Sequence, residues 1–270
     1  MTNQTSKENA VHTITPMLVA IGPNREKSRF TYMHNFGEKV DIPYFSWLIR
    51  GEGRKILVDA GCSADAYKTH IRGDEPLHLA GEVFEDVLDV KPIEEHFEEQ
   101  GLSFDDIDTF VQTHLDWDHC MNTPKFTKSK ILIQRAEWEK IPVHPLFKST
   151  YAPKYVYDEI AGLNVEFIEG DLELSKGVRL MLTPGHSPGG QSVVVDTDDG
   201  TFVIAGMCTI RDNFYPPESV TSKGTYKVIP AGMHMDPILC YDSMLRILDV
   251  GKENVLPFHD DSVLERGTIG

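Results

Sequence analysis

The sequence predicts an α/β (α+β) fold in which two facing mixed sheets are covered on their outer sides by helices. Three observations support this prediction. Signals for strands, a helix, strands and a helix follow one another along the chain. A hydrophobic share of 40% over 270 residues allows a large core. Ligand-type side chains follow several of the predicted strands, as happens when loops at one edge of a sheet form a site.

The first half of the chain is dominated by strand signals, which come from apolar, aromatic and β-branched runs. One helix is well marked, because Pro92 lies in its first turn, Ile93 and Phe97 are four residues apart and Gly101 follows as a cap. We predict strands at 14–21, 42–49, 55–61, 105–113 and 131–133, helices at 92–100 and 135–140, a helix with a mobile loop within 64–90, and a substrate-facing insertion or surface excursion at 143–161.

The second half contains further short strands and one long helix. The helix has an acidic N-cap at Asp236, a proline at its first position and Gly251 at its end. Strands are predicted at 165–168, 178–182, 191–196, 201–205 and 254–257, and a turn-dense loop at 183–190. We expect residues 11–270 to form one domain after a flexible polar tail at 1–10.

Four potential metal ligands occur within six positions directly after the strand predicted at 105–113. They are His114, Asp116, Asp118 and His119. Side chains two apart share a face of an extended segment, so an imidazole and a carboxylate at this spacing can point to the same place. The pattern favours a metal site over a polar loop with incidental histidines, because further ligand types recur after later strands.

Three further candidate site residues lie at or after the ends of predicted strands, two later in the chain and one earlier. His186 lies in the turn-dense loop, and His259 follows the last predicted strand. Asp59 ends the strand at 55–61, where a buried carboxylate needs a hydrogen bond or a cation. Asp59 therefore either supports the site or caps a turn.

Composition limits the class of partner and the compartment. The formal net charge of −16 disfavours nucleic acid and anionic membranes, although a local basic patch stays open. The four cysteines lack CxxC spacing, which favours reduced thiols over disulfides or a zinc ribbon. Neither an N-terminal apolar segment nor an apolar run of about 20 residues is present. We therefore expect a soluble, cytoplasmic protein that acts on a small molecule; a homodimer is compatible with the sequence.

The ordered motifs resemble those of the metallo-β-lactamase superfamily. They are the Asp59–Gly61 strand end, the HLDWDH run at 114–119, the TPGHSPG run at 183–189, the strand to Gly206, and His259 with Asp260. Within that superfamily, residues 101–139 and 169–192 are most similar to the N-acyl homoserine lactonases. The resemblance implies an αββα sandwich with metal at one edge.

The same resemblance implies a ligand set. His114, Asp116 and His186 would form a first metal site, Asp118, His119 and His259 a second, and Asp59 would orient a ligand imidazole. Such ligands hold one or two divalent ions per chain, with Zn(II) favoured and Mn(II) or Fe(II) as alternatives. Asp118 is the expected catalytic acid that carries a proton to the leaving group.

The match departs from the family pattern at three places. Asp116 replaces the second histidine of the HxHxDH motif, and a carboxylate there shifts metal preference somewhat towards iron or manganese. The bridging aspartate is missing, because the strand to Gly206 continues with Met207 and Cys208. Cys208 is either a thiolate ligand or a buried apolar residue, and Asp212 would need a different loop path.

The third departure is a missing tyrosine, which the lactonases place near the substrate carbonyl. Thr209 and Ile210 stand there instead. The candidates to supply a replacement hydrogen-bond donor from another loop are Tyr44, Tyr215, Tyr226 and His234. The alternative for His234 is a packing or capping residue. An apolar pocket could be lined by Phe45, Trp47, Trp117, Phe147, Tyr151, Tyr155, Phe214 and Tyr215, each of which is otherwise a core residue.

The ordered ligand set and the resemblance to lactonases together predict a metal-dependent hydrolase that opens a lactone or a related cyclic ester or amide by attack of metal-bound hydroxide. Two alternatives remain open at this point. One is a mononuclear iron enzyme of the same fold acting on oxygen or thiol substrates, which Asp116 and the missing bridging acid would suit. The other is a binding protein without catalysis.

Overall fold

Two β-sheets form the centre of the molecule. The computed structural model describes residues 11–72, 86–140, 154–222 and 226–270. The strands are β1 Thr13–Glu26, β2 Lys39–Gly51, β3 Arg54–Val58, β4 Leu88–Asp89, β5 Thr109–Val111, β6 Lys130–Gln134, β7 Val165–Ile168, β8 Leu172–Ser175, β9 Val178–Leu182, β10 Gln191–Thr197, β11 Gly200–Ala205 and β12 Val255–Pro257. The predicted tail at 1–10 lies outside the described residues.

Helices connect and cover the strands. They are α1 Ala64–Tyr67, α2 Ile93–Glu99, α3 Trp117–Cys120, α4 Arg135–Lys140, α5 Lys154–Ala161, α6 Arg211–Phe214, α7 Glu218–Thr221, α8 Pro237–Gly251 and α9 Ser262–Glu265. Among the described ranges, none of the helices is long and apolar enough to cross a membrane.

The two sheets are both mixed. The seven-stranded sheet has the order β4-β1-β2-β3-β5-β6-β7 and the five-stranded sheet the order β12-β11-β10-β9-β8. Strands β1, β2 and β3 are antiparallel, whereas β3, β5, β6 and β7 run parallel. A tight turn joins β2 to β3, since Glu52 and Gly53 both have positive φ. In the second sheet only β11 and β12 are parallel.

Three apolar clusters give the fold its four layers. Alternate residues of β2 face opposite sides: Phe45 and Trp47 join a cluster shared with Val193 and Phe202 of the second sheet. Tyr44 lies in the cluster on the other side of the first sheet. A third cluster packs α8 against the outer face of the second sheet. The resulting order of helix, sheet, sheet and helix confirms the predicted αββα sandwich.

Several boundaries differ from the predictions for local reasons. The strand predicted at 105–113 covers only 109–111, because Ser103 and Asp106 cap each other across a short helical turn at 104–106. The stretch at 143–161 contains α5, and its residues 143–153 lie outside the described part. The region at 64–90 contains α1 and β4, with 73–85 outside that part. Strand β8 was not predicted.

Candidate metal centre

The predicted ligands meet at one edge of the sandwich because each follows a strand end. His114 and Asp116 lie in the loop after β5, and α3 carries the next two ligands. His186 lies between β9 and β10, and His259 follows β12. The carboxyl ends of strands in α/β sheets commonly carry functional groups, since loops there converge on one crevice.

Six of the predicted residues form two clusters, and all six are buried. In each cluster the ligand atoms lie within 4.8 Å of one another. The first contains His114, Asp116 and His186, with Asp116 Oδ2 at 3.2 Å from His186 Nε2 and 3.5 Å from His114 Nε2. The second contains Asp118, His119 and His259, with Asp118 Oδ2 at 3.6 Å from His119 Nε2 and 3.7 Å from His259 Nε2.

Hydrogen bonds at Nδ1 orient the four imidazoles. Nδ1 of His186 lies 2.7 Å from the Met233 carbonyl, and that of His259 lies 3.0 Å from the Pro43 carbonyl. A carbonyl only accepts, so both rings carry their proton on Nδ1. Thr113 gives its hydroxyl hydrogen to Asp59, so at 2.9 Å it accepts from Nδ1 of His114. The Nε2 lone pairs are left facing the clusters, as metal ligation requires.

Asp59 holds His119 and the loop before it. This residue is fully buried with φ +53° and accepts from Nδ1 of His119 at 2.7 Å. It also accepts from the backbone and hydroxyl of Thr113 and from the Gln112 amide. Burial strongly raises the pKa of Asp59, and the Thr113 hydrogen bonds oppose that rise.

The donor set fits a divalent metal. Two imidazole lone pairs in each cluster converge on a carboxylate, the combination that holds Zn, Mn or Fe. Among the described residues, the buried Asp116 Oδ1 has no hydrogen-bond partner, and a bound cation would supply the positive group that it lacks. The clusters share no residue, and therefore no carboxylate bridges them within the described ranges.

The two acids of the motif differ in electrostatics. Burial raises the pKa of Asp116, but His114 and His186 outweigh that effect and hold it below its ordinary value. Burial and the neighbouring Asp116 charge raise the pKa of Asp118 to about 8. Burial lowers the pKa of His259 to about 3, so this imidazole is neutral at neutral pH.

Glu137 on α4 connects the two ligand loops and was not predicted as a site residue. Its carboxylate is fully buried and accepts from Leu115 N at 2.9 Å and from Gly189 N at 2.8 Å. Leu115 lies between the predicted ligands His114 and Asp116, and Gly189 lies three positions after His186. Burial raises the pKa of Glu137 to about 7, against the effect of the two backbone hydrogen bonds. Gly189 leaves the necessary room, since a Cβ there would lie 2.3 Å from Glu137 N.

Replacing Glu137 with glutamine is expected to destabilise the protein by about 2 kcal/mol, because one buried backbone N–H would face an amide NH₂ instead of an acceptor. Urea unfolding measures this change. Glu139→Gln on the same helix is the control, since Glu139 is exposed and its ion pair with Arg135 is at 3.6 Å. Equal stability of the two variants would contradict the bracing role of Glu137.

Other predicted residues lie outside the two clusters. Cys208 is buried and belongs to neither, and burial raises the pKa of its thiol well above the ordinary value. Asp212 forms an ion pair with Lys27 at 2.8 Å instead of taking a bridging position. The Tyr215 hydroxyl binds the Lys252 carbonyl, and Tyr226 is 45% exposed against His34. His234 binds the Ala231 carbonyl through Nδ1.

The predicted pocket residues divide into core and site-edge groups. Phe45, Trp47 and Phe214 are fully buried in the core clusters, so they do not line a pocket. Trp117 packs between Tyr44 and Tyr67, with ring centroids at 5.3 and 4.4 Å. Phe147 and Tyr151 lie outside the described residues, as does the side chain of Tyr155.

A sandwich fold with two clusters of His and Asp side chains at one edge is typical of a metal-binding protein. Comparisons with known proteins identify the family. The model of the metallo-beta-lactamase superfamily matches residues 41–219. An N-acyl homoserine lactonase of Bacillus thuringiensis is 28% identical over 217 residues, 80% of each chain. The chain therefore belongs to the metallo-beta-lactamase superfamily.

Solved structures agree with the fold. A quorum-quenching N-acyl homoserine lactone lactonase superposes with a TM-score of 0.71 at 25% identity over 93% of each chain. An N-acyl homoserine lactone hydrolase, with the product N-hexanoyl-L-homoserine bound at its catalytic metal centre, has a TM-score of 0.72 at 24% identity. That match covers 95% of this chain and 96% of the other.

Proposed function

We propose that this protein is a metal-dependent hydrolase that opens a lactone or a related cyclic ester or amide. The two convergent His and Asp clusters carry the proposal, because their Nε2 lone pairs and carboxylates face one another at a loop edge. The lactonase relative across 80% of the chain supports the substrate class. The comparisons give no support to the iron or non-catalytic alternatives.

His114, Asp116 and His186 would hold one ion, and Asp118, His119 and His259 a second. A bound divalent metal supplies an acidified water and polarises a carbonyl near neutral pH. Asp59 keeps His119 in the tautomer with a free Nε2. Cys208 is left as a buried thiol in this proposal.

Zinc is the metal we favour, with manganese or iron as the alternatives. Four imidazoles suit zinc, while the Asp116 carboxylate adds an oxygen ligand that manganese and iron also accept. Metal analysis of protein purified without added ions tests this choice.

Asp118 is the group we assign to proton transfer. Its side chain is 11% exposed, against 4% for Asp116, so the site opens to solvent beside Asp118. A carboxylate at the opening can carry a proton to the alkoxide that leaves when the ring opens.

Turnover of a substrate panel tests the proposed function. We expect the metal-loaded protein to hydrolyse at least one of a set of lactones, esters and cyclic amides, with N-acyl homoserine lactones tested first. Removal of metal by a chelator should abolish the activity and added metal should restore it. No turnover of any panel member by metal-loaded protein would reject the proposal.

Three further expectations stay predictions: one domain over residues 11–270, a cytoplasmic location and a homodimer. Four free buried cysteines are consistent with a reducing compartment.

A further inference from the structure

Tyr44 lies beside the second ligand cluster. It follows Pro43 on β2, and the Pro43 carbonyl accepts from Nδ1 of His259. The Tyr44 ring meets His259 edge-on at 5.8 Å between centroids and meets Trp117 at 5.3 Å. Trp117 separates the two acids of the motif, so Tyr44 borders the site from β2.

The phenol oxygen of Tyr44 is held by a buried cation. Arg25 on β1 donates to this oxygen from Nη2 at 3.4 Å, and Arg25 is only 5% exposed. Gly22 leaves space for the pair, since a Cβ there would lie 2.4 Å from the phenol oxygen and 2.5 Å from Arg25 Nε. A donor on the phenol oxygen polarises its O–H bond and strengthens it as a donor.

The hydroxyl hydrogen of Tyr44 has no acceptor in the part of the chain that the structure describes. Tyr44 is 4% exposed, and the hydrogen bond of its hydroxyl within the described ranges is the one that Arg25 donates. A buried O–H without an acceptor is costly, so structures rarely keep one unless another molecule completes the bond.

The position of the site opening indicates that this molecule is a substrate. Asp118 is the most exposed acid of the clusters, and Trp117 beside it is partly exposed. A substrate entering there would lie next to Trp117, whose ring contacts the Tyr44 ring edge-on. The ligand that completes the bond must offer an acceptor atom, because the group of the phenol left without a partner among the described residues is its hydroxyl hydrogen.

We propose that Tyr44 is a substrate-contacting residue whose hydroxyl, held by Arg25, donates a hydrogen bond to a carbonyl oxygen of the bound substrate. This inference rests on the proposed function, because an ester, lactone or amide carbonyl is the acceptor. Tyr44 then contributes to substrate selection without binding metal.

Tyr44→Phe tests the proposal, because it removes only the hydroxyl and keeps the ring against His259 and Trp117. With the lactone that the wild type hydrolyses best, we expect kcat/KM to fall about 10-fold, the effect of one hydrogen bond of about 1.4 kcal/mol. Bound metal per chain, measured by elemental analysis, should stay at the wild-type value. Tyr157→Phe is the matched control, since the Tyr157 hydroxyl is buried, has no hydrogen-bond partner among the described residues, and belongs to a ring that packs against Trp138.

The outcomes separate this inference from the proposed function. A wild type that hydrolyses no substrate rejects the proposed function. An active wild type with an equally active Tyr44→Phe variant overturns only the role of Tyr44. A loss of activity that accompanies a loss of metal also overturns it, because the hydroxyl would then support the ligands and not contact the substrate.

Discussion

Replacement of His186 with alanine is expected to remove activity and the first metal ion together. His186 Nε2 lies 3.1 Å from His114 Nε2 and 3.2 Å from Asp116 Oδ2, so its loss leaves two ligands. A bound metal supplies several kcal/mol of transition-state stabilisation. At about 1.4 kcal/mol per tenfold change in rate, we expect kcat/KM to fall at least ~1000-fold. Elemental analysis and steady-state kinetics on the same sample measure both effects.

His96→Ala is the control for this experiment. His96 lies on α2 and binds the Leu18 carbonyl through Nε2 at 2.9 Å, outside both clusters. We expect it to keep wild-type metal content and activity. A His186→Ala variant that retained wild-type activity would contradict the assignment of the first cluster.

Replacement of Asp59 with asparagine is expected to produce the largest loss of stability. The Asp59 carboxylate accepts four hydrogen bonds and makes none as a donor: from Gln112, twice from Thr113 and from His119. An amide NH₂ in its place would face buried donors. We expect the free energy of unfolding to fall by about 3 kcal/mol, as urea denaturation would measure.

The same variant should also weaken metal binding. Because Asp59 fixes the His119 ring, its replacement is expected to lower metal affinity about 10- to 100-fold. Asp105→Asn is the matched control, since Asp105 is exposed at the surface. Unchanged affinity in Asp59→Asn, measured by competition with a chromophoric chelator, would reject the orienting role of Asp59.

The candidate ligand residues could be predicted because their signals are local, whereas their division into two metal sites was implied by the family resemblance. His114, Asp116, Asp118 and His119 occupy one short run after a strand, and the loop with His186 has a dense turn pattern. The two sheets followed from strand signals spread along the chain. Boundaries were harder where local hydrogen bonds compete with a strand, as at 104–106, where a turn capped by Ser103 delays the start of the predicted strand to Thr109.

The supporting residues could not be predicted because their partners are distant in sequence. Glu137 binds Gly189, 52 positions away, and Arg25 binds Tyr44 across two strands of the first sheet. In the sequence Glu137 is an ordinary acidic residue of the first helical turn, and its burial is visible only in the structure. In the sequence, Asp212 was a candidate for the missing bridging aspartate. Its ion pair with Lys27 joins two residues that are far apart in the chain, so it could not be predicted.

Asp116 distinguishes this site from the family pattern. It contributes a buried carboxylate to the first cluster, while Met207 leaves the bridging position without one. The two clusters therefore contain one carboxylate each and share no ligand among the described residues. We expect metals to bind at the two clusters with less mutual dependence than a shared carboxylate would impose.

A metal titration of metal-free protein, followed simultaneously by lactone hydrolysis, tests the central claim most directly. We predict that hydrolysis is absent without metal, rises as zinc is added and stops rising when both clusters are filled, at two ions per chain. Hydrolysis that is independent of metal, or stoichiometric metal binding without hydrolysis of any lactone, ester or cyclic amide, would contradict it.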